Sequence, residues 1–325
     1  MRLASFNLEN LSDGSRAEAP LSARLEALKP QLKRLDPDII CFQEVDATKK
    51  HSGGQRQLTA LDHLLDESQL GNFHQANTTL GETGAPADRH NLVTLSRWPI
   101  NQKFQYANDL IAPPRYTSVT SIPKQNSAAE IVWDRPILDV EIKLPDGRVL
   151  HVLNVHFKAQ LASVIPGQKV GPFAWKSVPG WAEGYFVASI KRAGQALECR
   201  MVVDHIFDDD PSALIAVAGD FNADTREVPL RIISGSTEDT GNGALALRSL
   251  ALLEHSVPKS QRFTVVHRGH KLMMDHILVS RQLMAHYRSF SVHNEMLGDE
   301  LVAYTLIDAA PDSFHAPIVA EFAFD

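Results

Sequence analysis

Near the N-terminus, leucines recur at spacings of three and four residues, which places them along one side of a predicted helix. Asp36-Pro37 would end this helix, because the residue before a proline avoids the helical conformation. A strand is predicted before it, at residues 2–7, and the apolar run 39–42 predicts a second strand that is covered on both faces. The leucines of the stripe are Leu21, Leu25, Leu28, Leu32 and Leu35.

The rest of the chain alternates irregularly between predicted strands and one long helix. Residues 137–144 and 148–156 flank the turn sequence Pro145-Asp146-Gly147 and predict a hairpin. A helix is predicted over residues 182–207, and a strand over 213–218. Without regular strand–helix alternation, mixed or antiparallel sheets are favoured. The remaining predicted strands are 91–96, 263–266, 274–280, 287–292 and 318–324.

Composition indicates an ordinary globular chain. Its 325 residues are 44% hydrophobic, enough for a large core, and no repeat or linker-like tract interrupts them, so we expect a single domain over residues 1–325. A net charge of −7 argues against a protein that coats nucleic acid through a broad basic face. The two cysteines, Cys41 and Cys199, lie in a predicted strand and helix, and we expect both to be reduced and buried.

The sequence gives no sign of a targeting or membrane segment. The first residues lack the apolar run of a signal peptide, and no stretch of about 18 apolar residues predicts a membrane span. We therefore expect a cytoplasmic protein without a membrane span, and no protein partner is predicted. The segment 160–181, rich in Pro, Gly, Lys and aromatic residues, predicts a long surface loop.

Polar side chains follow the apolar strands at the points where the strands end. Strand ends in layered α/β folds gather their loops in one crevice, so residues distant in sequence can converge there. Carboxylates, imidazoles and amides in one crevice are suited to phosphoester hydrolysis. These residues are Asn7, Glu9, Gln43, Glu44, Asn154, His156, Asp220, Asn222, Asp275 and His315.

The carboxylates among them predict a divalent metal site. Glu9 and Glu44 offer the hard oxygen ligands that suit Mg²⁺ or Mn²⁺ rather than zinc. His315 and Asp275 would form a carboxylate–imidazole pair that holds the ring near an attacking water. Asp220 would serve the same water.

Two further polar residues would contact the phosphoryl group. Asn222 and His156 would donate hydrogen bonds to its oxygens as negative charge develops there. Any one of these residues alone could instead be structural, because an aspartate after a strand often caps a turn and a lone histidine is often a satisfied core group.

Together and in this order, the motifs resemble the endonuclease/exonuclease/phosphatase family. The similarity spans nearly the whole chain, and Gly-Asp-Phe-Asn after a buried strand is its most specific element. Residues 91–99 and 262–264 resemble weaker signatures of the family. The main motifs are Phe6-Asn7, Gln43-Glu44, Asn154-Val155-His156, Gly219-Asp220-Phe221-Asn222, Met274-Asp275-His276-Ile277 and Ser313-Phe314-His315.

The resemblance implies an α/β fold of α+β type: a four-layer sandwich of two mixed, mainly antiparallel β-sheets flanked by helices. It implies that Glu44 is the chief metal ligand and that Asn7 contacts phosphate or metal. It leaves open whether His315 or Asp220 is the general base. The catalytic residues that it implies are His156, Asp220, Asn222, Asp275 and His315.

One position departs from the family pattern. Where the family often has Ser-Asp-His, with the aspartate near the metal, this chain has Ser313-Phe314-His315. We favour metal binding by Glu9 and Glu44 with solvent. The alternatives are that Asp312 takes part or that a second metal site is missing.

Some candidate residues have a structural interpretation beside the functional one. Lys158 would share the face of His156 on a continuing strand and bind phosphate, or it is a solvated lysine. Arg135 would bind phosphate, or it forms a surface ion pair with Asp134. His276 would point away from Asp275 into the core.

The loop after His156 contains three aromatic residues, Phe173, Trp175 and Trp181. They would stack on bases or cover a lipid-like or small apolar group, or they anchor the loop to the core. Loops placed on a fixed site usually set specificity, so this loop is the candidate for substrate selection.

The sequence therefore predicts a Mg²⁺- or Mn²⁺-dependent phosphoesterase in which activated water attacks in line. A nuclease-like activity on a phosphodiester of nucleic acid is the leading hypothesis. The enzymatic alternative is a phosphatase or phosphodiesterase of a small phosphorylated molecule or phospholipid head group. The non-enzymatic alternative is a catalytically silent phosphate-binding protein, which Phe314 alone favours.

Overall fold

Two six-stranded sheets form the centre of the protein in the computed structural model, which describes residues 1–14, 19–49, 53–236, 240–301 and 311–324. Within this part of the chain the helices are α1 Leu21–Leu35, α2 Thr59–Leu65, α3 Val178–Asp209, α4 Val228–Ser234 and α5 Arg281–Met284. The strands are β1 Arg2–Leu11, β2 Ile39–Val45, β3 Thr48–Lys49, β4 Arg56–Gln57, β5 His74–Asn77, β6 Asn91–Ser96, β7 Ile100–Tyr106, β8 Arg115–Tyr116, β9 Ala129–Glu130, β10 Ile137–Lys143, β11 Val149–His156, β12 Leu214–Asp220, β13 Ala251–Leu252, β14 Val265–His267, β15 His270–Leu272, β16 Asp275–Val279, β17 Tyr287–Val292 and β18 Ile318–Phe322.

The two large sheets share one pattern of strand directions. The first has the order β17-β18-β1-β2-β6-β5 and the second β13-β16-β12-β11-β10-β7. In each, one central pair is parallel, β1 with β2 and β11 with β12, while the other neighbours are antiparallel. Parallel strands end at the same edge of a sheet, so each sheet brings two strand ends to one edge.

Three apolar clusters define four layers. One cluster fills the space between the sheets, a second packs α1 and α2 on the outer face of the first sheet, and a third packs α3 and α4 on the outer face of the second. The predicted four-layer sandwich of two mixed, mainly antiparallel sheets is confirmed. Cys41 and Cys199 are buried and free, as predicted.

Strand periodicity determines which side chains face the interior between the sheets. In β12, Leu214, Ala216 and Ala218 face the other sheet, whereas Ile215 and Val217 face the helices. Asp220 continues the inward series at the end of the strand. A carboxylate is thereby placed between the sheets where their apolar contact ends.

Several predicted boundaries differ from those in the structure. The strand that begins at Arg2 continues to Leu11 instead of ending at Asn7, and the long helix begins at Val178 instead of Ala182, so the end of the predicted loop is helical. Ser177 accepts a hydrogen bond from the Gly180 N–H at 3.1 Å and caps this helix, and Pro179 fits its first turn.

Some elements were not predicted at all. Among them are α2, β5 and β7. Strand β7 is largely exposed and polar and lies at a sheet edge, so it lacks the alternating apolar pattern of a half-buried strand. No helix in the described part of the chain has both the length and the apolar character needed to cross a bilayer.

Candidate active site

Neighbouring strand ends of the second sheet present a row of polar side chains to the space between the sheets. His156 pairs in register with Asp220, and Asp220 pairs with Asp275. From the first sheet, Asn7 lies opposite them, since its side-chain amide donates to Asp220 Oδ2 at 3.0 Å. All four side chains are buried. The predicted convergence of these residues is what the strand registers produce.

Glu44 reaches the site because the backbone of β2 breaks its regular alternation. Gln43 occupies the inward position and donates to Asn154 Oδ1 of the second sheet at 2.8 Å. A regular strand would turn Glu44 towards the helices, but its φ of 58° and the adjacent register shift redirect it. Its carboxylate accepts from Asn7 Nδ2 at 3.3 Å and from the Asn10 N–H at 3.1 Å.

Asp220 is the most heavily hydrogen-bonded carboxylate of the site. Its Oδ1 accepts from the Asn222 N–H at 2.8 Å, and its Oδ2 accepts from the side-chain amides of Asn222 and Asn7 at 3.1 and 3.0 Å. Burial, together with the nearby negative charges of Asp275 and Glu44, raises its pKa to about 7. The site therefore holds several carboxylates close together, and a bound cation would stabilise their negative charges.

Gly219 allows this placement of Asp220. Its φ is 149°, and a Cβ added there would lie 2.0 Å from the Val155 carbonyl oxygen. Only glycine permits so close an approach of β12 to β11 at this point.

His315 and Asp275 form the expected pair. His315 Nδ1 lies 2.8 Å from Asp275 Oδ2, and the Asp275 N–H donates to Thr264 Oγ1 at 3.1 Å. Burial lowers the pKa of His315, but Asp275 and Asp220 more than offset this and raise it well above the usual value. The two carboxylates thus favour the protonated ring, whose Nε2 lies 4.0 Å from Asp220 Oδ2.

His156 has the opposite protonation state. Its Nε2 lies 3.5 Å from Glu44 Oε1 and 3.4 Å from Asp220 Oδ2. Burial, with the positive charge of Arg135, lowers its pKa well below the usual value, so the ring is neutral. Its buried Nδ1 has no hydrogen-bond partner among the described residues, and neither has Asp275 Oδ1.

The segment before His315 is tied to the end of β1. The Phe314 N–H donates to Glu9 Oε2 at 2.7 Å, and Ser313 Oγ donates to the Asn7 carbonyl at 2.7 Å. Arg24 in α1, which the sequence pattern did not single out, donates to the Asp312 carbonyl at 2.8 Å. Phe314 is buried, whereas Asp312 is exposed. Burial raises the pKa of Glu9.

Two groups of side chains in the described residues have the geometry to hold a metal ion. They are Glu44, His156 and Asp220, and Asp220, Asp275 and His315, with the ligand atoms of each group within 4.8 Å of one another. Carboxylate-rich groups fit Mg²⁺ or Mn²⁺, and the partnerless Asp275 oxygen is a donor of this kind. Of the predicted metal ligands, Glu44 belongs to these groups, while Glu9 and Asn7 lie beside them.

Arg135 turns into the site, which the sequence left open. Its Nη2 lies 2.7 Å from His90 Nδ1 and its Nη1 donates to the Phe157 carbonyl at 3.2 Å. Asp134, the partner in the alternative interpretation, forms an ion pair with Lys191. Burial raises the pKa of Glu44, but the His90 and Arg135 side chains outweigh burial and hold it below the usual range.

His90 is a site residue that sequence reasoning missed. Its Nε2 lies 2.9 Å from Asn10 Oδ1, and its ring centroid lies 6.0 Å from that of His156. The only sequence signal is a polar residue directly before the predicted strand 91–96. Its φ of 57°, which turns the side chain inward, cannot be inferred from the pattern.

Three other candidates also have defined surroundings. Lys158 does not continue the strand, because its N–H donates to Gln195 Oε1 at 2.8 Å, although its charge still lowers the pKa of His156. Asn222 donates its amide to Asp220 and to the Phe157 carbonyl at 3.1 Å. His276 lies in the core, 2.9 Å from Glu254 Oε1, as predicted.

Comparisons with known proteins concern the family and the fold of the chain. The sequence profile of the Endonuclease/Exonuclease/phosphatase family matches residues 4–296. No curated protein matches the chain significantly.

Among solved structures, truncated TDP2 of Caenorhabditis elegans is 15% identical, with a TM-score of 0.56 and 99% and 97% of the two chains covered. A mannosyl-6-phosphatase of Bacteroides thetaiotaomicron is 14% identical, with a TM-score of 0.57 and both chains covered completely. A family protein of Leptotrichia buccalis is 15% identical, with a TM-score of 0.53 and both chains fully covered. These likenesses show a shared fold.

Proposed function

Because the chain belongs to the endonuclease/exonuclease/phosphatase family of phosphoester hydrolases, we propose that it hydrolyses a phosphodiester by in-line attack of water at the site of Glu44, His156, Asp220 and His315. One observation carries the proposal: side chains from both sheets bring two overlapping metal-compatible groups together around Asp220. Mg²⁺ or Mn²⁺ would be held by Glu44, with Glu9 and Asn7 close by. When bound, it would polarise a phosphoryl oxygen and stabilise the leaving group.

Asp220 is the general base in this proposal. Its carboxylate is fixed by amide donors, and its pKa of about 7 lies near the operating pH, where a base is most effective. Asp275 and Asp220 raise the pKa of His315 and so favour its protonated form, which makes it the poorer proton acceptor of the two. Its imidazolium, held by Asp275, would instead stabilise the negative charge of the phosphoryl group.

The amides and the remaining cations have supporting roles. Asn222 uses its side-chain N–H groups within the protein, so it positions Asp220 more than it binds phosphate. His156, with a neutral ring, would donate to a phosphoryl oxygen, and Asn7 would contact the phosphate or the metal. Arg135 and Lys158 would add positive charge beside it.

For the substrate, we keep a nucleic-acid phosphodiester as the first candidate, in line with the sequence prediction. A phospholipid or other small phosphorylated molecule is the second, favoured by the exposed apolar surface described below. We also retain the single domain and the cytoplasmic location as predictions.

A substrate panel tests the proposal. Plasmid DNA, bis-(p-nitrophenyl) phosphate, p-nitrophenyl phosphate and phosphatidylcholine would be incubated with the full chain in Mg²⁺, in Mn²⁺ and in EDTA. We expect metal-dependent cleavage of a diester that EDTA abolishes. Activity on the monoester p-nitrophenyl phosphate alone would indicate a phosphatase and contradict the proposed diesterase. Inertness towards every substrate, with metal binding retained in calorimetry, would favour the silent phosphate-binding protein.

A further inference from the structure

Large apolar side chains are exposed in one part of the molecule far more than elsewhere. We call this part the apolar unit: residues 113–132, residues 158–177 and the first turns of α3, residues 178–186. It contains 11 of the 21 large apolar residues that are exposed in the described chain, although it is a small part of its length. They are Val119, Ile122, Val132, Leu161, Val164, Val170, Phe173, Val178, Trp181, Tyr185 and Phe186.

The start of α3 reverses the usual arrangement of a surface helix. Val178, Trp181 and Tyr185 lie at spacings of three and four residues and form one exposed apolar stripe, with the last two rings 5.6 Å apart. The opposite side is buried and consists of Gly180, Glu183, Gly184 and Ala188. An ordinary surface helix buries its apolar side, so the stripe is a face without a partner in the described structure.

Contacts of the buried side of α3 hold the unit together. Glycines allow α3 to lie against the loop, because a Cβ on Gly184 would be 2.4 Å from the Ser163 carbonyl oxygen. Glu183 accepts hydrogen bonds from the Thr120 N–H at 2.9 Å and from the Tyr116 hydroxyl at 2.9 Å. The helix is therefore joined to both other segments of the unit.

The two other segments are also joined directly to each other. The Ile122 N–H donates to the Pro166 carbonyl at 2.9 Å. The Gln168 side-chain amide donates to the Thr120 carbonyl at 2.5 Å. The three segments of the apolar unit are thus joined to one another by hydrogen bonds, which hold the backbone that carries the exposed side chains.

The charge of the apolar unit differs from that of the whole chain. The unit contains five basic residues, Arg115, Lys124, Lys158, Lys169 and Lys176, and two acidic ones, Glu130 and Glu183, which gives a formal charge of +3 in a chain of −7. Glu183 is buried and hydrogen-bonded within the unit. Exposed lysines therefore accompany exposed apolar side chains on an otherwise acidic protein.

We propose that the apolar unit binds the surface of an anionic lipid bilayer. Aromatic and aliphatic side chains enter the boundary between head groups and acyl chains, while flanking lysines attract anionic head groups and keep their own charges in water. Phe173, which is 87% exposed, and Trp181 are the main apolar anchors. Lys124 and Lys176, both exposed, supply the charge.

The chemistry of the unit favours a bilayer over other partners. Seven of the 11 exposed residues are aliphatic and offer no ring on which a base could stack, and five cations are few for a protein that neutralises many phosphates. A symmetric dimer through this surface would bring together two copies of a unit with a formal charge of +3 and so oppose like net charges.

Vesicle flotation with the full chain tests the proposal. Vesicles of phosphatidylcholine alone would be compared with vesicles that also contain phosphatidylglycerol. We expect binding to the anionic vesicles, a shift of tryptophan fluorescence to shorter wavelength, and weaker binding at high salt. The Phe173→Ser/Trp181→Ser variant should lose at least about tenfold in lipid affinity, and Lys124→Glu/Lys176→Glu should lose severalfold.

A matched control separates this surface from general hydrophobicity. Met296 is 89% exposed but lies outside the apolar unit, so Met296→Ser should bind vesicles as the unchanged protein does. Circular dichroism should stay unchanged in all variants, and turnover of bis-(p-nitrophenyl) phosphate should stay unchanged in Lys124→Glu/Lys176→Glu and in Met296→Ser. Absence of vesicle binding by the unchanged protein would overturn the proposal. The proposal would also be overturned if the protein did not bind vesicles but formed a dimer in analytical ultracentrifugation that Phe173→Ser/Trp181→Ser abolishes. Binding of single-stranded DNA that this variant abolishes, again without vesicle binding, would overturn it in the same way.

Discussion

The strand ends and the apolar unit depart from the usual distribution of side chains in opposite ways. At the strand ends, Glu44, Asp220 and Asp275 are charged or polar side chains placed in the interior, whereas in the apolar unit Phe173 and Trp181 are large apolar side chains exposed to water. Each arrangement is unfavourable in the isolated chain. Each becomes favourable with a suitable partner, a cation and phosphate in the first region and an apolar surface in the second.

The largest expected effect is the loss of turnover when a carboxylate at the strand ends is replaced. Asp220→Asn should lower the turnover of a small diester at least about a hundredfold, which corresponds to about 2.7 kcal/mol of barrier, because the base is lost. The measurement is steady-state hydrolysis in Mg²⁺. Asp312→Asn is the matched control, because Asp312 is an exposed aspartate in the segment before His315. The turnover of this variant should change little. Equal losses of turnover in the two variants would contradict the role of Asp220 as the general base.

The next effect concerns the backbone that supports the strand ends. Gly219→Ala should lower the free energy of unfolding by about 2 kcal/mol, because the added Cβ would collide with the Val155 carbonyl oxygen. Urea unfolding followed by circular dichroism measures it. Gly243→Ala, where nothing lies within 4 Å of the added Cβ, should stay close to the unchanged protein. A stable Gly219→Ala protein would contradict the close packing of β11 and β12.

Loss of the His315–Asp275 pair should have a smaller effect and lower the free energy of unfolding by about 1 kcal/mol. Asp275→Asn should lower the pKa of His315 in the metal-free protein, because Asp275 is the main group that raises it. Since the raised pKa of His315 stabilises the fold fully below about pH 6.5 and loses this effect as pH rises through the folded pKa, the variant should be destabilised more at about pH 6 than at alkaline pH.

Titration of the imidazole signals by nuclear magnetic resonance, with urea unfolding at each pH, checks both statements. Signals of His315 that titrate at the same pH in the two proteins would exclude the pair. His156 should remain neutral over the same range.

The smallest effect concerns the order of the apolar unit. Glu183→Ala should raise amide exchange at Val119 and Thr120 about tenfold, because both N–H groups donate to this carboxylate. Hydrogen–deuterium exchange detected by mass spectrometry measures it, and exchange in β12 should not change. Glu130→Ala, an exposed glutamate of the same unit, is the control. Unchanged exchange in Glu183→Ala would mean that other contacts hold the unit.

Sequence periodicity predicts the site wherever a regular strand carries the residue. Asn7, His156, Asp220 and Asp275 follow from an alternation of two along predicted strands, and their order along the chain carried the family resemblance. Glu44 was predicted from its motif, but its orientation depends on a left-handed backbone conformation. Apolar runs likewise predicted the central strands and α1, whereas the polar edge strand β7 gave no such signal.

Residues that act through long-range contacts could not be predicted in this way. Arg24 and His90 join the site through hydrogen bonds to the Asp312 carbonyl and to Asn10, and no local pattern encodes those partners. The exposed stripe of α3 was also hidden, because a helical spacing of apolar residues ordinarily predicts a buried face. Its exposure follows from the glycines on the opposite side, which pack against the loop.

The most direct test of the account is the rate of bis-(p-nitrophenyl) phosphate hydrolysis by the unchanged protein and by Glu44→Gln, each titrated with Mg²⁺ and then treated with EDTA. We expect a rate that rises with Mg²⁺, disappears in EDTA and falls at least about a hundredfold in Glu44→Gln, because a carboxylate ligand is lost. Hydrolysis that persists in EDTA, or that Glu44→Gln leaves intact, would contradict a metal-dependent site at these strand ends.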